Sequence, residues 1–308
     1  MTIIDAHSHL WLKQDTVVNG QLIRTLSPNG SRSLFFGKEV QMMPPFMIDG
    51  RNTAEVFLSN MDFAQVTAAV VVQEFIDGEQ NDYLREVSQQ YPDRFKVCAM
   101  CEVRKPGFLE EAKRLIATGA YAGIAIPGHR LQLPEGVRHL NDLEFMAMYQ
   151  LLDEAGMYLS LCLHEDNSQL EEVEEIVARF PNLRIAIGHF GMVTYPNWME
   201  QIRLARHHNV YVEAGGITWL FNSEGYPYPG AVQAIREAAD EVGIEKLMWG
   251  SDYPRTISVI TYRMAYDFVL KSDVLTEREK ELFLGENARK FYGFGALPEM
   301  PYIHHMAE

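Results

Sequence analysis

The chain is poor in cysteine. Cys98, Cys101 and Cys162 are all it has in 308 residues, an odd and sparse set that excludes a disulfide framework. Cys98 and Cys101 make a C-x-x-C, but they fall in or just past an apolar stretch of strand character at 95–100. Residues three apart on a strand point to opposite faces, so these read as packing cysteines rather than a redox or zinc pair. Basic residues are also short. Lys and Arg number 27 against 42 Asp and Glu, a net charge of −15. Nucleic acid is therefore not an expected partner, because phosphate binding needs clustered Lys and Arg. The longest clean apolar run lies near 66–72, far below the ~20 residues of a membrane span, so no membrane partner is expected. Residues 1–9 carry no basic segment and place Asp5 early. No export signal is read there, and a cytoplasmic location is the default. Internal repeats and low-complexity tracts are also missing.

What is present is alternation. Short β-branched, apolar segments recur at 2–6, 66–72, 95–100, 121–126, 158–163, 184–188, 210–214 and 246–250. Amphipathic helical segments lie between them. Runs that are apolar without period two suit strands buried on both faces, and βα alternation suits a parallel sheet. Eight such strands predict a (β/α)₈ TIM barrel occupying residues 1–308 as one domain. Asn141 with Glu144, Ser168 with Glu171 and Thr276 with Glu279 have capping-box spacing. Gly119 and Gly156 read as helix C-caps, and Phe180-Pro181 ends another helix.

The first connection, residues 10–52, is long and contains Pro28, Gly30, Gly37, Pro44, Pro45 and Gly50. It reads as a loop over the C-terminal face of the barrel, where barrel active sites sit. Residues 296–308 read as a tail or packing arm, with His304 and His305 as surface residues.

Four segments carry chemistry, each at the end of a predicted strand: Asp5-Ala6-His7-Ser8-His9, Leu161-Cys162-Leu163-His164, Gly188-His189-Phe190-Gly191 and Gly250-Ser251-Asp252-Tyr253-Pro254. Residues i and i+2 on a strand share a face, so His7 and His9 project together and form a ready chelate. A lone histidine at a strand end is usually an ordinary hydrogen-bonding residue. Barrel closure, however, would gather three histidine-bearing ends and an aspartate onto one rim, and that convergence points to a metal site. Gln73, Glu74, Glu213, Arg51 and Arg130 also fall near predicted C-terminal ends or the first connection. An arginine there suits a substrate carboxylate.

In their order and spacing these motifs resemble the amidohydrolase superfamily. The likeness is to its amidohydrolase-related branch, which includes aminocarboxymuconate semialdehyde decarboxylase, resorcylate-type decarboxylases and lactone hydrolases. It extends nearly to the end of the chain, through the segment 286–292. The resemblance implies His7, His9, His164 and Asp252 as ligands of one divalent ion, zinc or manganese, with His189 as catalytic acid/base and Asp252 as a proton shuttle. Many binuclear members carry a carboxylated lysine after strand four. This chain has Gly123-Ile124-Ala125-Ile126-Pro127 there, so a second metal is not expected.

Three functions compete. A hydrolase of a lactone, ester or amide leads, supported by the segments 169–173, 180–183 and 209–212 and by Trp198, which resemble lactone hydrolases. A non-oxidative decarboxylase of an aromatic or muconate-like acid is the alternative. A non-enzymatic metal- or metabolite-binding barrel is the third, disfavoured by a full ligand set at a catalytic rim. The expected partner is a small-molecule substrate, with a homo-oligomer left open.

Overall fold

The computed structural model describes residues 1–133, 136–304 and 306. Its main sheet has eight parallel strands in the order β1 (Ile4–Ser8), β6 (Ala68–Val71), β7 (Phe95–Met100), β8 (Gly123–Pro127), β11 (Tyr158–Cys162), β12 (Arg184–Ile187), β13 (Val210–Glu213) and β14 (Leu247–Met248). The first and last strands meet: the Ala6 N–H donates to the Trp249 carbonyl (2.9 Å), and the Asp252 N–H to the His7 carbonyl (2.9 Å). All eight strands lie where the apolar segments placed them, with boundaries shifted by a few residues. The largest shift is in β1, which runs on to Ser8 because Ser8 pairs with Val71 on one side and Tyr253 on the other.

Packing explains the composition of these strands. Their inward side chains are small or slender, including Ala6, Ala68, Val70, Cys98, Ala125 and Ala186, and they fill the barrel. Phe291, Tyr292 and Phe294 close its lower end, with the Tyr292 ring edge-on to Tyr158 at 4.8 Å. Outward side chains pack against the helices α1 (Ala54–Ala64), α2 (Asn81–Gln90), α3 (Phe108–Ala117), α4 (Leu143–Glu154), α5 (Leu170–Arg179), α6 (Met199–Arg203), α7 (Ile217–Leu220), α8 (Pro229–Val242) and α9 (Met264–Leu270), while α10 (Glu277–Glu281) leads to α11 (Asn287–Tyr292), which carries the lower plug. Cys98 and Cys101 are buried and unpaired, as packing residues should be.

Two of the three capping boxes are not formed. Thr276 and Glu279 cap α10 reciprocally. Helix α4, however, starts after Asp142, and α5 after Gln169, each one residue later than the spacing implied and without a side-chain cap. Gly119 and Gly156 do follow their helices with positive φ (65° and 66°).

The first connection is not a loop. It folds into a four-stranded antiparallel sheet of β2 (Asp15–Val18), β3 (Gln21–Thr25), β4 (Arg32–Phe35) and β5 (Lys38–Gln41). Its two tight hairpins turn at Asn19-Gly20 and Phe36-Gly37, where both residues of each pair have positive φ, the geometry that matches the twist of flanking strands. A short ribbon of β9 (Gln132–Leu133) and β10 (Gly136–Val137) follows β8. The tail lies largely exposed, with Leu297 packed against the barrel's lower plug. His304 is exposed, and His305 lies outside the described residues. Among the described residues no helix is long and apolar enough to cross a membrane.

Candidate active site

Strand β1 delivers two imidazoles to the C-terminal rim. Its register shifts between Asp5 and Ser8, an irregularity of the kind that re-aims side chains beside active sites. The His7 and His9 Nε2 atoms stand 3.0 Å apart. Asp252, just past β14, brings its Oδ1 to 3.3 Å from His9 Nε2 and 3.7 Å from His7 Nε2. These three buried residues form one cluster whose donor atoms lie within 4.8 Å of one another.

The opposite edge of each imidazole is held by a buried carboxylate. His7 Nδ1 meets Glu213 Oε1 at 2.7 Å, and His9 Nδ1 meets Asp77 Oδ2 at 2.7 Å. A carboxylate can only accept here, so each Nδ1 carries a proton and each Nε2 turns inward, where its lone pair serves a cation once any proton on it is lost. Two inward Nε2 atoms and a carboxylate oxygen are the donor chemistry of a divalent transition ion. The charges agree. Asp77, Glu213 and Asp252 place three carboxylates around two imidazoles, so the cluster favours positive charge. Burial opposes a proton on His7 and His9, yet Glu213 lifts the first above its ordinary range and Asp77 and Asp252 lift the second well above it. Burial likewise opposes charge on Asp252, but His9, His189 and His7 hold it far below the usual carboxylate range.

Glycines make room for this pairing. A Cβ on Gly215 would lie 2.7 Å from the His7 ring and from Glu213, and one on Gly250 would lie 2.8 Å from His7 Cβ. Asp77 is positioned by a short turn at Phe75–Asp77 that Glu74 and Asp77 cap reciprocally. Glu74 then accepts from Arg130 Nε at 2.5 Å.

His189 stands beside the cluster, its ring 4.7 Å from that of His7. Its Nδ1 lies 2.8 Å from the Gly215 carbonyl, which can only accept. Nδ1 is therefore protonated, and Nε2 is left as a free base. Burial and the neighbouring His7 push its pKa down. His189 (φ 52°) and Asp252 (φ 58°) both hold left-handed backbone conformations, which cost non-glycine residues energy and concentrate at functional sites.

His164 does not join the cluster. Strand β11 ends at Cys162, and beyond it the alternation changes: Leu163 and Glu165 line the central pocket while His164 faces a neighbouring cavity. Its Nδ1 lies 3.0 Å from Asp166 Oδ1. Arg51 is exposed and does not line the pocket. Gln73, Glu74 and Arg130 do line it, although Gln73 is occupied with Asn81, the Cys98 carbonyl and the Gln80 N–H.

The sequence reading missed four residues. Asp77 is one. His129 lines the pocket beside Arg130. Trp219 donates from Nε1 to Asp252 Oδ2 at 2.7 Å, and Arg255 stacks on the Trp219 ring at 3.8 Å. Only Asp77 left a trace in the sequence, as the fourth residue of Glu74-Phe75-Ile76-Asp77, which has cap spacing. The pocket encloses about 190 Å³. It receives Trp11 and Met42 from the inserted segment.

The sequence profile of the amidohydrolase family matches residues 4–294. No curated protein sequence matches the chain. Among solved structures, it is similar to a protein from Acinetobacter baumannii described as a probable 2-pyrone-4,6-dicarboxylic acid hydrolase, with citric acid bound. Identity is 23%, the TM-score is 0.68, and the match covers 96% of this chain and all of the other. An amidohydrolase from Burkholderia multivorans with bound zinc matches at 18% identity and a TM-score of 0.69, over 97% of this chain and 100% of its own. The 5-carboxyvanillate decarboxylase of Novosphingobium aromaticivorans, with bound manganese, matches at 19% identity and a TM-score of 0.56, over 81% and 84%.

Proposed function

Since this chain belongs to the amidohydrolase family, we propose that it is a hydrolase of a small lactone, ester or amide that works with one divalent ion, zinc or manganese. His7, His9 and Asp252 would hold the ion. When bound, such an ion lowers the pKa of water and polarises a carbonyl. The observation that carries the reading is the pair of carboxylate–imidazole contacts, Glu213 to His7 and Asp77 to His9, which aim both Nε2 atoms at one point beside Asp252 Oδ1.

The residues divide the remaining work. His189 is a base in its ground state, because the Gly215 carbonyl fixes its proton on Nδ1. Its Nε2 accepts a proton from the attacking water and returns it to the leaving oxygen or nitrogen. Trp219 occupies Asp252 Oδ2, so Asp252 presents Oδ1 to the cluster in one orientation. Trp11 and Met42 add apolar wall to the pocket.

The likeness to a pyrone dicarboxylate hydrolase supports a cyclic ester, since a 2-pyrone is a lactone. The likeness to a carboxyvanillate decarboxylase supports a second reading, loss of carbon dioxide from an aromatic acid. That reaction needs a proton delivered to carbon, so His189 would have to act first as an acid. Its fixed Nδ1–H and lowered pKa favour the base. The test is a panel of lactones, carboxylated phenols and muconates. Acid release from lactones is the expected result. Carbon dioxide release with solvent deuterium on the product carbon would reverse the assignment.

A further inference from the structure

Arg130 and Arg255 both line the pocket, and they differ in one respect. Arg130 is already paired: its Nε lies 2.5 Å from Oε1 of the buried Glu74. The Arg255 guanidinium makes no ion pair and no side-chain hydrogen bond among the described residues, although the chain carries 42 acidic residues. The nearest carboxylate in sequence, Asp252, is unavailable to it. Asp252 Oδ1 faces His9, and its Oδ2 accepts from Trp219 Nε1.

Arg255 is nevertheless held in place. It stacks 3.8 Å from the Trp219 ring, a contact worth more as it becomes desolvated. Trp219 is fixed in turn by its bond to Asp252 and by the edge-on His189 ring at 5.7 Å. The guanidinium thus stands at a set position relative to the reaction centre, with its donors unused. A planar fork of this kind matches a carboxylate through two parallel hydrogen bonds.

We propose that Arg255, braced by Trp219, is the receptor for a substrate carboxylate at the mouth of the pocket, so that the enzyme selects monoanionic substrates over neutral ones of the same shape. The proposal rests on the reading of this pocket as the substrate site, but it does not depend on whether the bond broken is a lactone or a carbon–carboxylate bond. Arg130 is excluded as the primary receptor by Glu74, which neutralises it.

The test compares benzoate with nitrobenzene, its neutral isostere, by ligand-observed NMR titration of the metal-loaded protein. Neither probe is a hydrolase substrate, so a failure of the hydrolase reading on the lactone panel leaves this measurement intact. Wild type should bind benzoate at least about tenfold more tightly than nitrobenzene, the usual scale of a charge-assisted contact. Arg255→Gln should bring the two affinities together and leave nitrobenzene unchanged. Arg255→Lys should retain part of the preference, and Arg130→Gln all of it. Arg255 is exposed, so its variants should fold as wild type does. A preference that survives Arg255→Gln, one that disappears in Arg130→Gln, or the absence of any preference in wild type would each overturn the proposal.

Discussion

Glu213 sits 2.7 Å from His7 across 206 positions of chain, and both side chains are buried. The same carboxylate accepts from the backbone N–H of His189 (3.2 Å) and of Gly215 (2.5 Å). One side chain at the end of β13 thereby ties together the ends of β1 and β12. It fixes a tautomer on His7 and the backbone of His189 at once.

Glu213→Gln is therefore expected to weaken divalent-ion affinity by about 10- to 100-fold, the usual scale for partners behind a metal-binding imidazole. An amide can present its nitrogen to His7 and stabilise the wrong tautomer. Competition against a fluorescent chelator measures the change. Asp77→Asn should act in the same direction through His9, and an unchanged affinity in both variants would count against the assigned tautomers.

Ion content separates the strand-end histidines. Protein carrying His7→Ala, His9→Ala or Asp252→Ala should lose bound zinc or manganese on elemental analysis. His164→Ala should keep it, because His164 faces Asp166 rather than the cluster. Loss of metal from the His164 variant would restore it as a fourth ligand.

His189→Asn should keep the ion and the melting temperature but lose turnover by about 10²- to 10⁴-fold, the range for a missing acid–base group. Loss of metal together with activity would make His189 a ligand instead.

Acid sensitivity should depend in part on His129. Burial, Arg130 and His189 push its imidazole from 6.5 down to about 3. Between those values the unfolded chain binds a proton that the folded chain refuses. His129 consequently destabilises the fold progressively as pH drops from 6.5 towards 3 and has no such effect above 6.5. His129→Gln should show a shallower fall in melting temperature between pH 7 and 4 than wild type. Parallel curves for the two proteins would mean that folded His129 is not held neutral.

The barrel was legible in the sequence because strands buried on both faces must be apolar without alternation, and eight such runs stood out. His7, His9 and Asp252 were legible for a related reason: a short motif at a strand end falls on the rim. The direction of His164 was not legible, because β11 stops at Cys162 and a place on the rim does not say where a side chain beyond the strand points. The sheet of β2–β5 was missed although Asn19-Gly20 between Val17-Val18 and Gln21-Leu22-Ile23 is a strong hairpin signal. Abundant proline and glycine on either side concealed it. Trp219 and Arg255 lie outside any motif. Their roles come from a stack and a hydrogen bond that sequence spacing does not encode.

The inserted sheet leaves and re-enters the barrel through one narrow neck. Trp11 and Asn52 exchange two backbone hydrogen bonds of 2.9 Å, and the Asn52 side chain donates to the His9 carbonyl at 2.6 Å. Because its two ends are already joined, the insert closes at its own stem, and that stem holds the backbone of His9. The body of the insert is also bound to the barrel, since Val18 and Ile23 enter its core and Gln80 ties Leu12 and Lys13. Added length is therefore best absorbed at an exposed hairpin tip such as Gly37, far along the chain from the stem, where the backbone of His9 would not feel it.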